Sequence, residues 1–193
     1  MRRVLLISLS LVLALVGWSA VCADDGFYVI PTMKGKYAPV PKTGQTQKYA
    51  TGDDGDLKKG VAWPTPRFTD NNNGTVTDKL TGLIWTKNAN CFGLKTWYKA
   101  LSDAATVADG TCDLTDGSKA GDWRLPNIRE LQSLFPYTTL PAGHPFINVG
   151  NRYWSSTTYA SYSDGAWAID CYIQREAVGK GNLANGLFVR GGP

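Results

Sequence analysis

Apolar positions along this chain follow two periods, and the switch between them marks the elements. Ile128, Leu131 and Leu134 recur at three-residue spacing and give a short helix one apolar face. Its start is specified residue by residue: Asn127 is placed to accept from the backbone N–H of Glu130 while the Glu130 side chain reaches back, a capping box with Asn as the cap. Pro126 and Leu131 occupy the staple positions, and Pro136 removes a donor and ends the helix. A second helical spacing links Trp97, Ala100, Leu101, Ala104 and Ala108, and predicts a helix running to Asp109-Gly110.

Elsewhere the period is two. From Gly165 to Ile173 the alternation sets Trp167, Ile169, Cys171 and Ile173 on one face and Ala166, Ala168, Asp170 and Tyr172 on the other. Arg67-Phe68-Thr69-Asp70 and Thr75-Val76-Thr77-Asp78 read as a hairpin around Asn71-Asn72-Asn73-Gly74, whose Asn-Gly end supplies positive φ. Leu83-Ile84-Trp85, Tyr153-Trp154-Ser155-Ser156-Thr157 and Leu187-Phe188-Val189-Arg190 read as further strands, the last set off by a loop from Gly179 to Gly186. Hairpins, helix, loop, helix and then antiparallel strands, without β-α-β alternation, make the expected class α+β.

The N-terminal region has neither period. Met1-Arg2-Arg3 followed by apolar Val4 to Val16 and by Val21-Cys22-Ala23 reads as a signal peptide over residues 1–23, cleaved after Ala23. Acylation of Cys22 as a lipoprotein is the alternative, against which Ser19-Ala20-Val21 is a poor lipobox. The apolar run is shorter than the roughly 20 residues a membrane span needs, so the mature chain is expected to be exported: periplasmic, extracellular or on the cell surface. Residues 24–66 are rich in Pro, Gly, Lys, Thr and Asp, with only Phe27-Tyr28-Val29-Ile30 reading as a strand.

Composition narrows the function. At 193 residues and 43% hydrophobic the chain suits one packed domain. Loss of Arg2 and Arg3 with the leader leaves 18 basic against 16 acidic residues, a net charge of +2. Nucleic acid would require a clustered basic stripe, so it is not an expected partner.

Of the three cysteines beyond the leader, Cys91 and Cys112 flank the first predicted helix and are the expected disulfide. Closing that loop is worth about 3 kcal/mol by chain entropy. Cys171 is left over and reads as a buried apolar thiol. Asp53-Asp54-Gly55-Asp56 and the Asn71 to Gly74 run imitate calcium loops, but the first has incomplete spacing and the second would put its closing ligand on Leu80. Solvated turns are expected there, with no metal and no cofactor. His144 is the single histidine, and no motif marks a Ser, Cys or carboxylate as its partner, so no catalytic residue is assigned.

Several ordered motifs then carry a resemblance. Arg67-Phe68-Thr69-Asp70 with Gly74-Thr75-Val76-Thr77-Asp78, Thr81-Gly82-Leu83-Ile84-Trp85, Asp122-Trp123-Arg124-Leu125-Pro126 with Glu130-Leu131, Tyr153-Trp154-Ser155-Ser156-Thr157 and Val189-Arg190-Gly191-Gly192 resemble the Lcl C-terminal domain family. That family is named for the C-terminal domain of the Legionella collagen-like adhesin. The resemblance runs from about Tyr37, so residues 24–36 are expected to be an arm and 37–193 the domain. It implies a C-type-lectin-like fold, distantly related to formylglycine-generating enzymes and to variable proteins of diversity-generating retroelements. For the adhesin it implies binding of sulfated glycosaminoglycans through a trimer; this sequence has no Gly-X-Y repeat, and its oligomeric state is left open. The paired active-site cysteines of the formylglycine-generating enzymes are not matched, which disfavours that chemistry.

The expected function is a non-catalytic binding module, adhesin-like, for a sulfated glycan or for an envelope or host surface protein. The alternative is a purely structural interaction domain. Tyr159, Tyr162, Arg175, Lys180, Asn182 and Asn185 are the ligand-binding candidates, placed between or at the ends of the last strands, where aromatic faces, amides and cations suit sugars and their acid groups. Trp123, Arg124, Asn127, Glu130 and Trp154 are assigned to holding the domain, with Arg124 expected to tie its loop to backbone carbonyls.

Overall fold

The computed structural model describes residues 40–136, 140–172 and 174–191. The expected leader, the 24–36 arm and the Phe27 to Ile30 strand lie outside the described residues.

The first described stretch closes on itself. Lys42 N–H donates to Val61 O (2.9 Å) and Val61 N–H to Val40 O (2.8 Å). Between them lies α1 (Asp54–Leu57), where a solvated turn was expected. The helix turn forms because Asp53 caps it, accepting from the backbone N–H of Asp56 (2.8 Å) and of Tyr49 (2.8 Å).

Strands β1 (Phe68–Asp70), β2 (Thr75–Asp78) and β3 (Ile84–Thr86) follow. The first two form the expected hairpin, with Phe68 opposite Asp78 and Asp70 opposite Val76. The positive φ of its turn falls on Asn72 (57°) and Gly74 (80°). Gly74 is needed for a second reason: a Cβ there would collide with the Asp113 backbone carbonyl. At the base of the hairpin Arg67 donates to Asp78 through Nε (2.9 Å) and Nη2 (2.6 Å), an ion pair with both side chains buried.

After β4 (Leu94–Lys95) comes α2 (Trp97–Ala104), one turn shorter than the spacing predicted. Thr106 N–H bonds Asp103 O and Val107 N–H bonds Ala104 O, three-residue bonds that tighten the exit and turn the β-branched Val107 fully into the core. The Cys91–Cys112 disulfide is formed, with Cα atoms 5.1 Å apart, and joins the loops on either side of this helix. Then α3 (Ile128–Leu134) carries the full capping box: Asn127 accepts from Arg129 and Glu130 N–H, and Glu130 accepts from Asn127 N–H.

The remaining strands are β5 (Arg152–Thr158), β6 (Gly165–Asp170), β7 (Gln174–Gly179), β8 (Ala184–Asn185) and β9 (Val189–Arg190). Strand β9 completes a four-stranded sheet ordered β1-β2-β3-β9, and the others form a five-stranded sheet ordered β4-β8-β5-β6-β7. Among the described residues all pairings between these strands are antiparallel except that of β5 with β8, so the fold is α+β.

Strand β6 divides the interior. Ile169 joins one apolar cluster with Trp85, Leu131, Leu134 and Tyr153, against which Trp167 and Cys171 also pack. Ala166 and Ala168 face a second cluster with Trp97, Trp123, Trp154 and Phe188. The alternation read from the sequence is thus a division between two cores, and the alanines are small because indoles fill the space beyond them. Those indoles are also satisfied: Trp97 Nε1–H donates to Ser155 O (2.8 Å), Trp123 to Ser118 Oγ (3.0 Å) and Trp154 to Lys95 O (2.9 Å).

Candidate functional site

Four of the six ligand-binding candidates gather on and around the β6–β7 hairpin. Tyr159 follows β5 and is set by its N–H donating to Gly165 O (3.0 Å); Tyr162 N–H donates to Tyr159 O (3.0 Å) and Gly165 N–H to Tyr162 O (2.9 Å). These bonds fold the β5–β6 connection tightly over Gly165, where a Cβ would come within 3.3 Å of the Tyr162 ring. Gly165 pairs with Gly179 across the hairpin, and Asn182 N–H donates to Gly179 O (2.9 Å), which brings the Asn182 amide to the same end.

Arg175 was expected in a loop and lies on β7 instead. A turn through Gln174 (φ 63°) leads directly into the strand, and Arg175 pairs with Ile169. Its guanidinium therefore stands diagonally over Trp167, with Cζ 4.4 Å from the ring centroid. Tyr159 meets the same ring edge-on, centroid to centroid 4.8 Å at 68°. The neighbouring cation is spent differently: Arg152 pairs with Asp170 (3.1 Å) and with Glu176. Arg175 makes no ion pair among the described residues.

The other two candidates sit inside the scaffold, which corrects their expected place on the surface. Lys180 is 9% exposed, with Nζ 4.1 Å from the Trp97 ring centroid and its backbone tied to Asp164 O (2.8 Å). Asn185 is 3% exposed, and its amide donates to Arg152 O (2.9 Å) beneath β5. Asn185 faces inward because β8 is held between β4 and β5, and Lys180 because its carbonyl also accepts from Trp97 N–H (3.0 Å) at the start of α2.

Trp167 is the member of the cluster that sequence reasoning grouped with core residues. The signal available was a lone indole at a strand position flanked by Ala166 and Ala168.

Residues assigned to holding the domain are placed as follows. Trp123 and Trp154 are buried, and the Arg190 guanidinium covers the Trp123 ring at 4.9 Å. Arg124 does not serve backbone carbonyls in the main: it grips Glu130 through Nη1 and Nη2, both at 2.7 Å. Burial opposes ionisation of Glu130, but Arg124 and the Asn127 N–H (2.8 Å) outweigh it and hold the carboxyl below its usual range.

A cleft of about 360 Å³ is lined by His144 and Cys171 together with Phe135, Leu140 and Tyr172. Burial lowers the pKa of His144, and burial together with Asp170 raises that of Cys171, so thiol and imidazole both rest neutral. Cys171 is partly buried just beyond the end of β6, and its Sγ approaches Gly150 O at 3.6 Å. Among the described residues no three His, Cys, Asp or Glu side chains are grouped to hold a metal ion, and no helix is long and apolar enough to cross a membrane.

The family model described as Lcl C-terminal domain matches residues 74–190, more than half of the chain, and the chain belongs to that family. No curated protein matches it.

Proposed function

We propose that this member of the Lcl C-terminal domain family works as an exported, adhesin-like recognition module without catalytic chemistry. In that reading it takes an acid-bearing glycan on the face formed by Tyr159, Tyr162, Trp167, Arg175 and Asn182. The observation that carries it is Arg175, a cation without an ionic partner among the described residues, laid over an indole that Tyr159 also meets. A sugar ring stacks on the aromatic surface while its sulfate or carboxylate accepts from the guanidinium. The C-type-lectin-like arrangement that the family implies belongs to the same reading, and the disulfide is in keeping with an oxidising compartment. Catalysis by the His144 and Cys171 cleft is disfavoured because a nucleophilic thiol needs a lowered pKa, and burial acts here in the opposite sense.

The test is retention of the mature chain on a sulfated-glycan column in a salt gradient. Arg175→Ala and Trp167→Ala are expected to elute at lower salt, and Lys180→Ala at the parent position. Unchanged elution of the first two variants overturns the assignment. A second reading, docking to an envelope or host surface protein, is favoured by β7: it is the edge of its sheet and half of its residues are exposed, a template for strand addition. Capture of a surface protein that persists in Arg175→Ala, with no glycan retention in the parent, would favour that reading instead.

A further inference from the structure

A cleft of about 420 Å³ lies away from the β6–β7 hairpin, between the stretch preceding β1 and the 141–143 loop. Its walls are mostly apolar, with Trp63, Pro64, Pro66, Phe68 and Pro141 beside the hydroxyl-bearing Thr65. Arg67 is the charged residue of the lining, 6% exposed and set between two rings, with Cζ 5.0 Å from the Trp63 centroid and 4.8 Å from that of Phe68. The Asp78 carboxylate occupies the Nε and Nη2 edge of the guanidinium, and Nη2 also donates to Ser133 O (2.8 Å). Because the group is planar, Nη1 is turned away from Asp78. It is buried and has no acceptor among the described residues. Stacked rings satisfy the face of a guanidinium, not its in-plane N–H groups, so among the described residues this donor is left without a partner behind the lining of a mostly apolar cleft.

We infer that the cleft is a binding site for a neutral amide, the acetamido group of an N-acetylated sugar, whose carbonyl oxygen accepts from Arg67 Nη1 and whose methyl packs on the proline and tryptophan walls. The charge balance selects the class. Asp78 already neutralises Arg67, so an incoming anion would lose its hydration with no uncompensated cation to meet it, and an ammonium would face a donor. A carbonyl supplies the missing acceptor without burying a new charge. Trp63 is the movable wall: it is partly exposed, and its side chain is anchored by one hydrogen bond, Nε1–H to Lys42 O (2.8 Å). Nη1 is closed from solvent, so the proposed amide reaches it only if this wall turns aside.

The experiment is an NMR titration of the ¹⁵N-labelled mature chain, following the Trp63 indole N–H, assigned by its loss in Trp63→Phe. N-acetylglucosamine and N-methylacetamide are expected to shift that resonance saturably, and glucosamine and acetate to bind at least tenfold more weakly. Ala142→Trp, which fills the mouth from an exposed position, should abolish the shift while leaving the rest of the spectrum folded. Saturable binding of N-methylacetamide without N-acetylglucosamine keeps the neutral-amide site and rejects the sugar as its source. The inference is overturned if neither amide moves the Trp63 indole, if acetate competes on equal terms, or if Ala142→Trp still binds.

Discussion

Asp78→Asn tests whether the Arg67–Asp78 pair is a structural keystone or an incidental contact. Both side chains are all but removed from solvent, 4% and 0% exposed, so screening does little to weaken the pair. Asn keeps an acceptor for the β2–β3 turn, where Asp78 receives Leu80 N–H (3.0 Å) and Thr81 Oγ1–H (3.0 Å), but it leaves the guanidinium buried and unbalanced. Breaking a buried pair from one side costs about 3–5 kcal/mol, set against roughly 5–15 kcal/mol for a whole domain. Asp78→Ala loses the turn acceptor as well and should cost about 1 kcal/mol more. With a urea slope near 2 kcal/mol/M, Asp78→Asn should lower the unfolding midpoint by about 1.5–2.5 M, read by tryptophan fluorescence. Arg67→Met removes the cation and leaves a carboxylate that still holds two turn donors, so Arg67→Met with Asp78→Asn should fall about 2 kcal/mol short of the summed single effects. A midpoint for Asp78→Asn within about 0.5 M of the parent, or full additivity of the two singles, refutes the reasoning.

Glu130 gives a pH dependence: its folded-state pKa is held below the ordinary value of 4.5, so its contribution is fully present above that value and is lost as pH falls through the folded pKa. Glu130→Gln should flatten the acid side of a stability profile measured between pH 3 and 7 by urea titration, roughly the range where carboxylates titrate. Cys91→Ser with Cys112→Ser should cost about 2–5 kcal/mol, measured as the fall in urea midpoint relative to the oxidised parent. Trp123→Ala empties the middle of the second core and should cost about 3–5 kcal/mol, read by circular dichroism as a lowered urea midpoint; a variant as stable as the parent that had lost only binding would show the assignment to be wrong. Lys180→Ala should lose about 1 kcal/mol of thermal stability through its contact with Trp97 while leaving glycan retention unchanged.

Features governed by neighbours in the chain were legible from the residues alone. The Asn127–Glu130 box, the β1–β2 hairpin and the Cys91–Cys112 bridge each depend on short spacing or on local geometry. Strands β7 and β8 were not legible. Strand β7 lies at a sheet edge with a single buried residue, Val178, so no alternation marks it, and β8 is two residues long. The end of α2 escaped for another reason: Ala108 continues the helical spacing, but Val107 is claimed by the core, and tertiary packing overrides the periodicity. Side-chain partners were the least legible. Nothing in the spacing tells that Arg124 will find Glu130 or that Lys180 will lie on Trp97 while Arg175 reaches Trp167.

The division of the interior by β6 has a consequence for how this surface can change. Ala166 and Ala168 are pressed from behind by the tryptophan-rich core, so the backbone under Trp167 is located by residues on the opposite face of the strand. Side chains at 159 and 175 can therefore be exchanged on a fixed mounting with no new path for the chain, whereas Trp167 also packs against the first core and is tied to it. The same mounting sets the limit. Any enlargement at 166 or 168 would push the strand forward and move every contact on the outer face at once.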